Sequence, residues 1–506
     1  MKHKNLIWRT VNNGRGGIKV KLSEKKLKTL LATSLIFVFV LGYFAGLIAA
    51  QTGTVTIEPR SFTETASYVI FKDGSTYYAK NGLTGVIDYS GTDASTVIQS
   101  AINALGLKGG KILIKNGVYY CKSTINLDNR HKGIILVGEG RSGYIPNAID
   151  VGTTLYKDFD GDLIVANFPV DATYTFSIED INLYGAYKSG YAIKVTQGFW
   201  WYLRNVNIYS FESGILVKDS HVHRLINVMV HDPPSNLGKY GIEYNNTWDW
   251  QWFDVEVDYN SQMTGYSAVK ISQGFGQITG GHFEGWRCFD VATNDLSFTN
   301  TMFAWSYERM IFVESTGANL RLDNCYFQGG NAGGFTGSEG AELYLGAGYA
   351  RISNCAFASQ AATYSVYAET TAPLNELTNN YFRNPVYFGS NTNIIVGNYI
   401  MGTLTINSYS TVIGNRLSSG LTVIGINNYV RSNTGFVTEN SGTATISAST
   451  SVTFTHGLAG TPTHVDCGFK TAGYGSWTWS ANSTHITITV ANPGTYNFSW
   501  YAEYEP

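Results

Sequence analysis

The chain has 506 residues, of which 14% are charged, and its pI is about 6.5. This balance excludes the basic composition of nucleic-acid-binding proteins, so we expect no nucleic-acid partner. With 55 glycines, 34 tyrosines and only 10 prolines, the composition is typical of a turn-rich β protein and excludes a disordered chain. Five cysteines, an odd number in so long a chain, exclude a disulfide-framework protein.

The N-terminus joins a basic segment to an apolar one. Residues 1–29 carry nine Lys or Arg and one acid, and residues 30–50 carry no charge. A charge-free run of 21 residues is long enough to cross a bilayer, and the basic flank places the N-terminus in the cytoplasm. We therefore expect a cytoplasmic segment at 1–29, a transmembrane signal-anchor at 30–50 and an extracellular remainder. If the apolar segment is instead a cleaved export signal, the remainder is secreted.

We interpret residues 51–84 as a stalk or lead-in. The segment Ile87–Leu127 then has the pattern of a short helix followed by apolar runs. Thr92 or Ser95 is positioned to N-cap an amphipathic helix, and two apolar runs follow it. We predict a short amphipathic helix near the start of the fold that begins at residue 85.

Three carboxylates lie close together at Asp158, Asp160 and Asp162. Their spacing lacks the twelve-residue pattern of a calcium loop. A glycine-bearing acidic turn explains them better than a metal site, which is the alternative interpretation.

A short motif recurs twelve times between residues 178 and 436. It reads h-x-[N/D/G]-x-x-h, where h is apolar, and successive copies are 17 to 30 residues apart. Its third positions are Asp180, Asn205, Asn227, Asp254, Gly280, Asn300, Asn324, Asn354, Asn379, Gly397, Gly414 and Ser432. A constant element separated by insertions of variable length is typical of a solenoid.

The third position of the motif should be a corner of the chain. The apolar positions change parity across it, which a straight strand does not allow. Asn, Asp and Gly tolerate the left-handed backbone that a one-residue corner needs. The following residue should point inward, and there Cys325 and Cys355 are expected to stack as small buried side chains. At the same position the last four copies carry Asn380, Asn398, Asn415 and Asn433, which we expect to form a hydrogen-bonded ladder.

These patterns predict an all-β chain in which residues 85–436 form a right-handed parallel β-helix with a short helix near its N-terminus. A β-sandwich or barrel also has many short strands, but it does not explain twelve similar corners. Residues 437–506 alternate apolar and polar side chains between turns, and we predict a small β-sandwich module there.

The segment Ile87–Leu127 resembles the first coil of pectate-lyase-like β-helix proteins, and Gly133–Gly140 resembles the next coil. That superfamily includes rhamnogalacturonases, polygalacturonases, epimerase-like pectate lyase domains and tailspike depolymerases. The resemblance implies the fold, in which the predicted N-terminal helix is a capping helix for the coil, and a glycan as the class of ligand. The catalytic motifs of polygalacturonases are absent, so no residue is assigned a role from the family.

Positions two and four after each corner should face outward. In three consecutive coils they place charged side chains on one strip, namely His231, Glu256, Asp258, His282 and Glu284. Two of these carboxylates can serve as acid and base in glycoside hydrolysis. Alternatively, they can hold Ca²⁺ that neutralises a uronate while His282, Tyr307 or Arg309 removes a proton, which is lyase chemistry. A solvated polar surface is the plain alternative.

Aromatic side chains cluster near the same coils, and their faces suit sugar rings. The candidate substrate-binding residues are Trp200, Trp201, Trp250, Trp286, Trp305, Tyr307 and Arg309. Packing in the core is the alternative for each of them.

The sequence therefore predicts a cell-surface β-helix protein that binds a polysaccharide, and it leaves open whether the protein also depolymerises it as a hydrolase or a lyase. The alternative is a non-enzymatic surface fibre, adhesin or stalk with a C-terminal binding module, for which a homotrimer is expected. The expected partners are a polysaccharide and, through residues 30–50, a membrane. Ca²⁺ is the cofactor that the lyase chemistry would require.

Overall fold

The structure is a computed structural model that describes residues 65–143, 149–169, 175–233, 238–259, 266–292, 295–314 and 318–506. The predicted cytoplasmic segment, the predicted transmembrane segment at 30–50 and the first part of the predicted stalk lie outside these residues. Within the described ranges, no helix is both long and apolar enough to cross a membrane.

The described chain begins with an antiparallel meander of β1 (Tyr68–Asp73), β2 (Thr76–Asn81) and β3 (Ile87–Gly91). Strand β1 also pairs in parallel with the first strand of the coil, β4 (Gly110–Ile114). Residues 68–81, which the sequence places in a lead-in, are therefore hydrogen-bonded to the β-helix.

Helix α1 (Ala94–Leu105) caps this end of the coil and is followed by a 3₁₀ turn at Gly106–Lys108. Its N-cap is Asp93, whose Oδ1 accepts a hydrogen bond from the Ser95 backbone N–H at 3.1 Å. The predicted N-caps, Thr92 and Ser95, are therefore wrong by one and two positions. The apolar face of α1 is buried against the first strands, as the predicted capping helix requires.

Three parallel sheets form the coil, because each turn contributes one strand to each sheet. The first sheet contains β4, β7 (Ile134–Gly138), the first halves of β10 (Phe176–Tyr184), β12 (Tyr202–Tyr209) and β14 (Arg224–His231), the second half of β15 (Ile242–Phe253), β18 (Gly274–Thr279), β21 (Asp295–Thr299), β24 (Ala318–Asp323), β27 (Gly348–Ser353), β30 (Glu376–Thr378), β33 (Ile394–Val396), β36 (Thr411–Ile413) and β39 (Tyr429–Arg431). The second sheet contains β5 (Gly117–Cys121), β8 (Thr153–Lys157), the second halves of β10, β12 and β14, β16 (Glu256–Tyr259), β19 (His282–Gly285), β22 (Met302–Ser306), β25 (Tyr326–Gln328), β28 (Ala356–Phe357), β31 (Tyr381–Phe382), β34 (Tyr399–Ile400) and β37 (Arg416–Leu417). The third sheet contains β6 (Ile125–Leu127), β9 (Ile164–Asn167), β11 (Tyr191–Thr196), β13 (Ser213–His221), the first half of β15, β17 (Val269–Ile271), β20 (Phe289–Val291), β23 (Ile311–Val313), β26 (Ala341–Leu345), β29 (Tyr364–Ala368), β32 (Val386–Phe388), β35 (Leu404–Ile406) and β38 (Leu421–Val423). A 3₁₀ turn at Gly337–Gly340 precedes β26.

All twelve predicted corners lie between the first and second sheets and have left-handed backbones, with φ between +50° and +73°. Of the twelve residues that follow them, eleven are buried. The predicted solenoid of parallel strands is confirmed, and the corner column is its repeating unit.

The core of the coil changes character along its length. A column of phenylalanines, Phe283, Phe303, Phe327, Phe357 and Phe382, stacks with neighbouring centroids 4.1–6.1 Å apart. The predicted asparagine ladder is present in the last coils, where each Nδ2 from Asn380 to Asn415 donates to the next Oδ1 at 3.0 Å. A second ladder, which the sequence did not predict, links Asn375 to Asn393 at 3.0 Å and Asn393 to Ser410 at 3.4 Å. The two cysteines of the corner column are buried and free.

The C-terminal region is an antiparallel sheet of β40 (Glu439–Thr455), β41 (His464–Phe469), β42 (Trp477–Ala481) and β43 (His485–Glu503). Strand β43 is central: β40 pairs along its length, while β41 and β42 pair with its two halves. The antiparallel character is as predicted, but the four strands belong to one sheet rather than to the two sheets of a sandwich.

Candidate functional site

The predicted strip lies on the outer face of the second sheet, where β14, β16 and β19 are in register. Glu256 pairs with His282, while His231, Asp258 and Glu284 occupy the same position in three successive coils. The register of parallel strands therefore brings all five residues together, because identical positions in successive coils are neighbours.

His282 lies between two carboxylates. Its Nε2 is 3.1 Å from Glu284 Oε1, and its Nδ1 is 4.0 Å from Glu256 Oε1. The close approach of Glu284 is the main reason why the pKa of His282 is raised, and burial opposes the shift. The surrounding negative charge thus favours the imidazolium form.

Asp258 is the carboxyl group of the strip whose pKa is raised. Burial, assisted by the charges of Glu284 and Asp232, raises its pKa to about 6. Its Oδ1 is buried and accepts no hydrogen bond from any residue that the structure describes. On the preceding coil, His231 is buried and its Nδ1 lies 3.0 Å from Asp232 Oδ2. Asp258 can therefore hold a proton at mildly acidic pH beside carboxylates of the same strip.

Arg141 closes one end of the strip. Its guanidinium donates to the Oδ1 of Asn207 and, at 2.6 Å, to the Oδ1 of Asn227, and Glu256 contributes to its electrostatic environment. Asn207 and Tyr209, which should be exposed by their outward parity, are instead buried. Sequence reasoning missed Arg141 because it lies in an ordinary loop, 86 residues before Asn227.

Trp305 projects from a bulge beside the strip. Phe283 pairs with Phe303 but Gly285 pairs with Ser306, so β22 has an extra residue opposite Glu284. Trp305 has φ +40° and is 59% exposed. A bulky residue at positive φ is strained, and a bulge is a common way to re-aim a side chain near a site. The bulge leaves an indole in solvent at the level of the acidic cluster.

The other candidate tryptophans of the early coils are not at the strip. Trp201 and Trp250 are each 1% exposed, and Trp201 stacks between Phe176 and His223 with centroids at 5.4 and 4.4 Å. Their predicted role in substrate binding is wrong, because a fully buried indole cannot contact a glycan. Trp200 is 60% exposed but lies in the turn from the third sheet to the first.

Trp286, Tyr307 and Arg309 lie in the turns that follow the strip. Trp286 stacks on Tyr307 at 5.4 Å and donates to Glu308 Oε2 at 3.1 Å. Arg309 is buried and donates to Glu308 Oε1 at 2.7 Å. This pairing holds the Arg309 guanidinium away from the surface, so it is not positioned to remove a proton from a substrate.

Two of the three carboxylates of the acidic turn bind the next coil. Asp160 Oδ1 accepts from the N–H and hydroxyl of Ser189 at 3.1 and 3.0 Å, and Asp162 Oδ1 accepts from the Tyr191 N–H at 2.9 Å. Among the described residues, no three His, Cys, Asp or Glu side chains are grouped to hold a metal ion. The turn at Asp158–Asp162 thus links its coil to the next one by hydrogen bonds.

Solved structures with a similar fold share little sequence with this chain. Tailspike gp61 of Pseudomonas phage phi297 is 12% identical, with a TM-score of 0.48 over 81% of this chain and 92% of that chain. The A-module of mannuronan C-5 epimerase AlgE6 from Azotobacter vinelandii is 12% identical, with a TM-score of 0.39 over 68% and 95%. A mutant tailspike protein of E. coli bacteriophage HK620, in complex with a hexasaccharide, is 13% identical, with a TM-score of 0.40 over 82% and 90%. No family model and no curated protein matches the chain.

Proposed function

We propose that the strip on the second sheet binds a neutral polysaccharide and hydrolyses a glycosidic bond in it. The observation that carries this proposal is the cluster in which His282 lies between Glu256 and Glu284. Asp258, whose pKa is raised, occupies the position next to Glu284 on the neighbouring strand. Below about pH 6, such a cluster offers a protonated carboxyl group, that of Asp258, next to two further carboxyl groups, and glycoside hydrolysis uses a pair of carboxyl groups.

The roles follow from the raised pKa of Asp258 and from the carboxyl groups on the strands beside it. Asp258, with a pKa of about 6, is protonated at mildly acidic pH and can donate to the leaving glycosidic oxygen. Glu256 or Glu284 then acts as the base that activates water, or as the nucleophile. The carboxylates that raise the pKa of His282 favour its imidazolium form, which has no free lone pair to accept a proton from a substrate. Hydrolysis is therefore favoured over the lyase alternative.

The charge of the strip favours a neutral glycan. Among the described residues, three carboxyl groups of the cluster and Asp232 face Arg141, His231 and His282 as the side chains that can carry positive charge. Residues 51–506 carry 26 basic and 36 acidic side chains, so the wider field also repels anions. The exposed Trp305 indole offers an apolar face to the C–H side of a sugar ring.

Incubation of the full-length protein with a panel of neutral and uronate polysaccharides tests this proposal. We expect new reducing ends from a neutral glycan, with activity that falls as the pH rises through about 6 because Asp258 loses its proton. Asp258→Asn should reduce turnover by about 100-fold or more. Glu376→Gln is the matched control, because Glu376 is a partly exposed carboxylate on the first sheet, 3.2 Å from Arg351.

Full turnover by Asp258→Asn would overturn the assignment of the acid. Unsaturated uronate products would support the lyase alternative. Binding of a glycan by the wild-type protein without any turnover would support the surface-fibre or adhesin alternative.

We also propose that residues 30–50 anchor the protein, with residues 51–506 on the extracellular side, because the charge-free run follows a basic flank. Recovery of the full-length protein in the membrane fraction after alkaline carbonate extraction is the expected result. Release of a shortened protein into the medium would instead indicate a cleaved export signal.

A further inference from the structure

A cleft of about 470 Å³ lies on the third sheet and the turn that follows it, on a different side of the coil from the strip. Its lining residues are Phe312, Glu314, Tyr344, Gly346, Glu369, Thr370 and Thr371. They come from three successive coils, through β23, β26 and β29. The volume lies in the range of small-ligand sites.

One wall of the cleft is formed by Phe312 and Tyr344, which belong to a longer column of aromatic rings on the third sheet. Phe312, Tyr344, Tyr367 and Tyr387 occupy the same outward position in four coils. Their neighbouring centroids are 5.3, 6.0 and 4.7 Å apart, and all three pairs are stacked. The rings hold one another in place, so the wall is preformed.

Two arginines support this wall without adding free positive charge. The Arg309 guanidinium lies 4.8 Å from the Phe312 centroid and 4.4 Å from that of Tyr344, and Arg287 lies 4.7 Å from Phe312. Both are paired with Glu308, at 2.7 and 2.9 Å. The lining residues themselves include no cation.

Hydrogen-bond acceptors line the opposite side. Glu314, Gly346 and Glu369 follow β23, β26 and β29 at equivalent positions, so the two carboxylates flank a glycine. Glu369 Oε1 accepts from the Tyr344 hydroxyl at 3.1 Å. The backbone N–H of Glu314 donates to Val291 O at 2.9 Å, and its carboxylate makes no hydrogen bond or ion pair with the described residues. A Cβ at Gly346 would lie 2.8 Å from Val313 O and 3.3 Å from the Tyr344 ring. Glycine therefore keeps the floor open.

We infer that this cleft is a second binding site for a neutral oligosaccharide, separate from the strip. Carboxylates and threonine hydroxyls can accept hydrogen bonds from sugar hydroxyls, while the aromatic wall contacts C–H groups. Two carboxylates without a facing cation repel uronates. The class of ligand rests on the proposed function, but the site itself does not depend on catalysis at the strip. Its effect is to hold a glycan on the side of the coil away from the acidic cluster.

Isothermal titration of the full-length protein with cellohexaose, mannohexaose and chitohexaose tests this inference, with a galacturonate hexasaccharide as the anionic probe. Asp258→Asn serves as the background, because it prevents consumption of the probe at the strip. We expect two sites per chain for at least one neutral probe. Adding Thr370→Trp, which fills the cleft from an exposed position, should leave one site, and adding Glu369→Gln should weaken that site at least tenfold. Thr422→Trp is the matched control, since Thr422 is exposed on the same sheet outside the cleft.

Unchanged stoichiometry in the Thr370→Trp variant would overturn the inference, as would binding of none of the neutral probes or of the galacturonate probe alone. A site that is sensitive to Thr370→Trp in a protein without turnover would keep the cleft and remove the proposed hydrolysis. If the protein turns over a glycan but has a single binding site, and only substitutions in the strip abolish that site, the proposed hydrolysis stands and the inferred cleft site is overturned.

Discussion

The coils that carry the strip and the last coils of the β-helix are built with different core side chains. Between Asp180 and Asn379, successive corners are 20 to 30 residues apart and the core contains stacked indoles and phenyl rings. Beyond Asn379, the steps are 17 or 18 residues and two amide ladders run through the core. An amide ladder needs the same register in every coil, whereas apolar packing is non-directional. Long insertions, bulges and the candidate site therefore occur where the core is aromatic.

The largest expected effect comes from breaking the ladder. Asn398→Leu removes the acceptor of both the backbone N–H and the Nδ2 of Asn380, and it leaves the carbonyl of Leu377 without its donor. Because buried polar groups then lose their partners, we expect the free energy of unfolding to fall by about 3 kcal/mol in urea denaturation.

Thr301→Val is the matched control, because Thr301 is buried at the same corner position among the aromatic coils. It should cost less than about 1.5 kcal/mol, since only one hydroxyl is removed. Equal losses for the two variants would contradict the distinction between the two regions.

A smaller effect on stability is expected at the strip and depends on pH. The folded pKa of Asp258 is raised from 3.8 to about 6, so the folded state binds this proton more tightly than the unfolded state does. The resulting penalty on folding is absent below about pH 4, grows up to about pH 6 and is complete above it. Asp258→Asn removes the charge, so the variant should be more stable than the wild type by about 1–2 kcal/mol at pH 8, after allowance for partial exposure.

The measurement is chemical denaturation of both proteins at pH 4 and pH 8. We expect the difference between them to vanish at pH 4. A constant difference at both pH values would mean that Asp258 does not carry the raised pKa.

The smallest effect is expected at the bulge. Trp305→Gly relieves a bulky residue at φ +40°, which should stabilise the fold by about 1 kcal/mol. The same change removes the exposed indole, so the affinity of the strip for a neutral glycan should fall by about tenfold. Trp200→Gly is matched in exposure and in positive φ (+59°), but it lies in a different turn. It should stabilise the protein without weakening binding, as measured by thermal unfolding and titration.

Local rules explain most of what could be predicted. Each corner needs only a residue that tolerates positive φ and a change of parity, so Asp180, Asn205 and the other ten positions are visible in the sequence. The same period places His231, Glu256 and His282 on neighbouring coils. The N-cap at Asp93 was missed because Thr92 and Ser95 have the same local capping chemistry.

The repeat of the motif predicts which side chains point outward, but it does not predict whether another part of the chain covers them. Tyr209 and Asn207 have outward parity, yet both are buried, and Asn207 bonds Arg141 and Ser142 of a loop some 65 residues earlier in the chain. Trp201 and Trp200 are adjacent in sequence, but one is in the core and the other is in solvent.

By itself, the sequence determined the repeating coil, its corners and the amide ladder, because these depend on backbone conformations and spacings that recur within each motif. Only the tertiary structure decided which carboxyl group of the strip has a raised pKa, which indoles reach solvent and where the arginines lie. These properties depend on burial and on contacts between residues far apart in the chain. Such contacts are made by loops of variable length rather than by the repeating motif.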